Sequence, residues 1–387
     1  MEAKIKLRLL SLSCLFNLGA HNLMQSFLPI YMKKCGLTET QIGSIGAWAV
    51  LFSLALTLLV GNLADRLQMA RRMVVILILL HSLSSGFYMF ARGYFHFLGL
   101  DMLRGVAHST TASMIPLLVL SVLPKQKRGK HYSGYRVWGS VGFFSFAMIG
   151  GLFAERYGIP PLFAAAGICL VVAAITFGAV KTGTDTPPLK AGGMARIFST
   201  PRLVIFYLSL IPFAVWTPVC FRFLQLYMHE LGGSYILVGC LMGSMGLLGI
   251  VGLPIVGRLA DHYGVIPIIA INFLLVPIRL VSYPLISNPY WIFVPNLIHI
   301  MTFPISEICF LLFIERYTAP ELRNTAMVLI VIFRSIGWIA GSFLGGYLAQ
   351  SMGYPMMFYI TGAISSIAFL IFVVGMRKTK SVTVPVE

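Results

Sequence analysis

The stretch GNLADRLQMARR, Gly61–Arg72, decides how this chain is read. Its first five residues return as GRLAD at 257–261, 196 positions later. The same offset carries Phe27, Leu28, Tyr31, Gly36 and Gly43 onto Phe223, Leu224, Tyr227, Gly232 and Gly239. Further along, the offset becomes 195. Arg128, Gly142, Gly150, Gly151, Gly158 and Phe163 then match Arg323, Gly337, Gly345, Gly346, Gly353 and Phe358. One register held over so many positions marks an internal duplication. The halves are 1–180 and 203–387, joined by the polar segment 181–202 with its TPP turn at 186–188.

Each half is built for lipid. Hydrophobic residues make up 58% of the chain and charged residues 11%, where a soluble domain carries about 25% charged residues. Twelve apolar segments, the first near 9–32 and the last near 354–376, are long enough to cross a bilayer. The expectation is an all-α membrane protein of twelve transmembrane helices in two pseudo-symmetric six-helix bundles. Lys4, Lys6 and Arg8 lead into the first apolar run with no small-residue cleavage site, so that run reads as a spanning helix.

The net charge of +17 raises the question of nucleic acid, and its placement answers it. With the N-terminus inside, only Lys33, Lys34, Arg92 and Arg156 fall outside. Arg104, Arg136, Arg222, Arg279 and Arg334 fall within membrane segments, and every other Lys and Arg is cytoplasmic. The positive-inside rule puts both termini in the cytoplasm. Anionic lipid headgroups are the natural neighbours of this charge, and no nucleic acid is expected. The six cysteines have no regular spacing, so neither a disulfide framework nor a metal site is expected. There is no HExxH, no GxSxG in a strand–helix context and no phosphate loop, which argues against an enzyme and against any cofactor.

GNLADRLQMARR resembles the signature loop of the major facilitator superfamily, Gly-x-Leu-Ala-Asp-Arg-x-Gly-Arg-Arg. Gln68 stands at the usual glycine, and the arginine pair is displaced to Arg71 and Arg72. Asp65 ends a helix at the membrane face, where it can meet a helix N-terminus or an arginine. The resemblance implies a conformational gate at Gly61, Asp65 and Arg66, with Asp261 in the second copy. It covers the whole chain, and parallel halves around a midplane site are a carrier plan.

Ionisable groups inside a membrane face the bundle interior and mark a pathway, since a lipid-facing charge costs roughly 3 kcal/mol or more. By ~1.5 Å rise per residue, Arg104 lies ~12 Å into helix 4, Arg279 ~21 Å into helix 9, and His299 and Arg334 each ~15 Å into theirs. Asp101, Arg104 and His108 share one face of helix 4. A structural pair of Asp101 with Arg104 competes there with a ligand role. Asn17, His21 and Gln25 make one polar stripe on helix 1, which fits either a ligand or helix packing. On helix 10, His299 and Glu307 lie eight apart on one face.

GYRVWGSVGF, Gly134–Phe143, resembles the start of helix 5 in lactose permease-type proton-coupled sugar permeases. It is closer still to the 3-phenylpropionate permease and nucleoside–proton symporter groups. The resemblance makes Arg136 a substrate-binding candidate. HIMTFPISE, 299–307, resembles their helix 10, with His299 matched and Thr302 in place of the proton-accepting glutamate; Arg279 matches a helix 9 arginine near it. ELRNTA, 321–326, fits the phenylpropionate type. Only Asp101 and Glu307 are acidic within the membrane segments. Glu307 is therefore the expected proton carrier, with His299 second and Arg279 beside them. The substrate set is Arg136, Arg104, His108, Asn17, His21, Gln25, Arg334 and Trp338. An excess of arginine favours an anionic solute, because arginine clamps carboxylate bidentately.

The expected function is a proton symporter importing a small organic solute, an anionic or aromatic acid, by alternating access. The alternatives are a proton-coupled nucleoside or sugar carrier, or a drug or metabolite exporter. The expected setting is a monomer in a bacterial inner membrane, with the bilayer, protons and the solute as its partners.

Overall fold

The structure is a computed structural model that describes residues 2–66, 69–123, 128–180 and 194–379. The side chains of 2–4, 58, 61–66, 128–130, 194 and 195 lie outside that description. Gly61, Asp65 and Arg66 of the expected gate, and residues 181–193 of the joining segment, are therefore outside it.

Among the described residues the chain is helical, with no strand. The first half contributes α1 (Glu2–Lys34), α2 (Glu39–Arg66), α3 (Ala70–Phe87), α4 (Gly93–Val122), α5 (Arg128–Tyr157) and α6 (Pro160–Gly178). The second contributes α7 (Pro201–Glu230), α8 (Tyr235–Tyr263), α9 (Val265–Ser282) and α10 (His299–Tyr317). A continuous helical run, Arg323–Lys378, follows; Gly353 at φ 81° and ψ 164° breaks it into α11, 323–352, and α12, 354–378. Among the described residues, ten helices are long and apolar enough to cross a membrane, with 320–378 taken as one. Dividing that run at Gly353 and adding the 33-residue α1 gives the twelve expected from sequence.

The repeated glycines explain themselves in two ways. Gly36 and Gly232 have φ 87° and 85°, and Gly158 and Gly353 have 79° and 81°. These are left-handed turns between helices, which only glycine adopts freely. Gly142 and Gly337 instead mark close approach. A methyl on Gly142 of α5 would strike the Leu15 carbonyl of α1, and one on Gly337 of α11 would strike the Ile211 carbonyl of α7. Leu15 and Ile211 are themselves 196 apart, so the duplication preserves a backbone contact. The small partner also changes sides: Gly19 of α1 receives Phe146, whereas Gly341 of α11 receives Val215 of α7. Small residues at such crossings are what bring helices together in lipid, where hydrophobicity gives no preference for protein over acyl chain.

Contacts group the chain into two compact units, residues 1–188 with 224–247, and 189–223 with 248–387. In the first, α1 packs on α5 and α6, and α3 packs on α4 and α6. Gly239 and Gly243 of α8 lie against Ala147 and Phe144 of α5, and the Tyr235 amide donates to Glu155 at 2.9 Å. In the second, an aromatic core of Phe206, Phe213, Phe273, Phe310, Phe313 and Phe372 ties α7, α9, α10 and α12 together. Within α7, a π-turn at Val219–Phe223 follows Pro218 and interrupts the regular ladder.

Candidate functional site

Both units bury arginine, and the two arginines are held differently. In the first, α4 places Asp101 and Arg104 one turn apart. The Arg104 guanidinium donates to Asp101 Oδ1 twice, from Nε at 2.8 Å and from Nη2 at 2.6 Å. The Tyr88 hydroxyl, from the 3-10 turn after α3, donates to the same oxygen at 3.0 Å. Asp101 is fully buried and Arg104 8% exposed. The pair leaves no net charge, which offsets the cost of burying both groups.

One turn further along α4, the His108 ring stacks on His21 of α1, with centroids 3.6 Å apart and planes within 5°. His81 of α3 stands edge-on to both, at 6.0 and 5.9 Å. Asn17 and Gln25 flank His21 on α1, and Asn17 Oδ1 is buried with no hydrogen-bond partner. The sequence-read residues Asn17, His21, Arg104 and His108 thus belong to one unit and one neighbourhood. Sequence reasoning misses His81: its neighbours at helical spacing, Ser84 and Ser85, are not ionisable, and their hydroxyls donate to the His81 carbonyl.

In the second unit, Arg279 of α9 is 1% exposed. It donates from Nη2 to Asn296 Oδ1 at 2.5 Å and from Nε to the Tyr283 hydroxyl at 2.8 Å, and its Nη1 bonds His299 Nδ1 at 3.0 Å. Its guanidinium also lies over the rings of Trp216 and Tyr283, at 5.6 and 5.8 Å. No carboxylate among the described residues forms an ion pair with it. Sequence reasoning also misses Asn296 and Tyr283, although the repeat contains them: Tyr88, Asp101 and Arg104 fall, 195 positions on, at Tyr283, Asn296 and His299.

The other expected residues are more dispersed. Glu307 sits on an exposed face of α10, and Arg334 of α11 is half-buried. Glu307 acts on Arg334 electrostatically. Trp338, one turn beyond Arg334, has a buried indole N–H without a partner. Arg136 is exposed on α5; its guanidinium curls beside Gly139 and faces Cys14 of α1. Asp261 is exposed at the end of α8. Among the described residues, no group of three His, Cys, Asp or Glu is arranged to hold a metal ion.

A family model described as Major Facilitator Superfamily matches residues 10–342. The chain is similar to the multidrug resistance protein MdtG of Proteus mirabilis, 24% identical over 91% of this chain and 90% of that one. It is 22% identical to MdtG of Salmonella typhi over 91% of each. Among solved structures, the nucleoside transporter NupG superposes with a TM-score of 0.82 at 14% identity, over 98% of this chain and 100% of that chain. A bacterial homologue of the human lysosomal transporter Spinster, inward-facing and unoccupied, gives 0.79 at 13% identity, over 97% of each. These structural likenesses speak to the fold.

Proposed function

As a member of the Major Facilitator Superfamily, this chain is a multi-pass membrane transporter of small molecules and not an enzyme, and we propose that it is a proton-coupled symporter of a small organic anion, an aromatic acid above all. The observation that carries this reading is the state of Arg279. A guanidinium stays charged at any physiological pH, and here its partners are an amide, a phenol and an imidazole, all neutral acceptors. Arg104 is neutralised by Asp101, and Glu307 acts on Arg334. The second unit therefore holds a positive charge beside Trp216 that a carboxylate on a ring would complement. Arg136 is a second anion-binding candidate in the first unit, with Asn17, His21, Gln25 and His108 as neutral hydrogen-bonding groups. Glu307 is the proposed proton carrier in the second unit. Gly61, Asp65, Arg66 and Asp261 are the proposed gate, and the protein works as a monomer in the inner membrane with both termini cytoplasmic.

A second reading, drug export, is supported by the likeness to MdtG along nearly the whole chain. One experiment separates the two. Purified protein is screened by thermal unfolding against aromatic carboxylates, nucleosides and lipophilic cations, because a ligand that binds only the folded state raises the midpoint by mass action. Stabilisation by carboxylates, lost in Arg279→Gln, is the expected result. Stabilisation by cations alone would favour export, and by nucleosides alone would overturn the anion reading.

A further inference from the structure

We infer that His21, His81 and His108 form a proton-binding site in the first unit, three imidazoles that together hold a single proton. The rings come from three helices, with His81 buried and His21 and His108 half-buried. Nδ1 of His21, Nε2 of His81 and Nδ1 of His108 are all buried without a hydrogen-bond partner. Buried polar atoms are nearly always satisfied, so three orphaned nitrogens in one cluster call for a ligand. A metal ion is a poor answer. The lone pairs of imidazole lie in the ring plane and must converge on a metal, whereas His21 and His108 are stacked face to face. A proton needs one lone pair, and imidazole is the side chain that accepts one near neutral pH.

The surroundings limit the number to one. The groups that act electrostatically on these rings are the rings themselves and Arg104. On α4, Asp101 is already bonded to Arg104 and to Tyr88. On α1, Gln25 and Asn17 are neutral, and Gln25 bonds His21. On α5, Arg136 faces Cys14, about two turns along α1 from His21. Among the described residues no further carboxylate acts on the rings to balance a second charge. Once one ring takes a proton from water, a second cation stacked on it at 3.6 Å would be repelled. Coupled sites of this kind titrate as a unit, not ring by ring.

The test counts protons and needs no solute, so its outcome is independent of the anion reading. Purified full-length protein in weak buffer is stepped from about pH 8 to about pH 5, across the imidazole range, and an indicator dye reports protons taken up per chain. The triple variant His21→Asn/His81→Asn/His108→Asn is expected to take up one proton fewer than the parent. A deficit of three would mean independent rings, and no deficit would mean a cluster that stays neutral; either overturns the inference. If the triple variant does not yield monodisperse protein, the three single variants decide. Each should keep the parent count with a shifted midpoint, since two rings remain. Loss of a whole proton on removing one ring places it on that ring alone, and three unshifted profiles place it elsewhere; both overturn the sharing.

Discussion

The Tyr88–Asp101–Arg104 site and the Tyr283–Asn296–Arg279 site are the two ends of one comparison. The duplication keeps the tyrosine at a 3-10 turn and keeps an oxygen acceptor thirteen residues later. In both, the tyrosine hydroxyl points at that acceptor, at 3.0 Å in the first unit and 3.5 Å in the second. What diverges is charge. The first acceptor is a carboxylate, and the arginine one turn away on the same helix cancels it. The second is an amide, and the arginine has moved to the preceding helix, one turn before Tyr283. A shared scaffold thus yields one electrically closed site and one that keeps a cation, which indicates where a charged solute has something to gain.

Removing the carboxylate should break the comparison most visibly. Asp101→Asn gives the first unit the second unit's acceptor but leaves Arg104 buried and unpaired. The expected loss is about 3–5 kcal/mol, read by unfolding in detergent; an unchanged midpoint would show that Arg104 does not depend on its partner. The next test concerns the scaffold. Gly142→Val and Gly337→Val each drive a side chain into a backbone carbonyl that has no rotamer to yield. Losses of about 1–3 kcal/mol, similar for the two, are expected, and a large inequality would mean the halves do not share this contact. The reverse charge swap is milder. Asn296→Asp supplies Arg279 with a carboxylate and should raise stability by roughly 1 kcal/mol, while abolishing the thermal shift given by aromatic acids. Retention of that shift would detach Arg279 from solute binding. Smallest in stability is Arg136→Ala, an exposed position where a change within about 0.5 kcal/mol is expected. Its informative readout is affinity for organic acids in proteoliposome uptake, and an intact affinity would sink its role as a clamp.

Much of the fold was legible because a bilayer imposes length and apolarity on every span, and because a duplication repeats its constraints. Gly142 and Gly337 could be matched from sequence alone, and the structure supplies the reason, a carbonyl one helix away. The pairing of Asp101 with Arg104 was also legible, since three residues on one helix face are neighbours by geometry. The histidine cluster was not. His21 and His108 stand out on separate helices, and nothing in periodicity says that α1, α3 and α4 bring three rings together. Asn296 and Tyr283 were hidden for another reason. A search for charge passes over neutral groups, and the divergence from aspartate to asparagine at one offset removes the very signal that would have announced the site.

The bond between Arg279 and His299 has a consequence for which ring nitrogen bears hydrogen. A guanidinium only donates, so Nδ1 of His299 must present its lone pair, and the hydrogen of the neutral ring must sit on Nε2. The imidazole is thereby fixed as one tautomer, a donor on its far edge that offers acceptors a hydrogen and offers donors nothing. Adding a proton to His299 would put a hydrogen on Nδ1, where the Arg279 N–H already points. Protonation of this ring and its bond to Arg279 are therefore mutually exclusive, so if His299 ever takes up a proton, the same event must release the arginine.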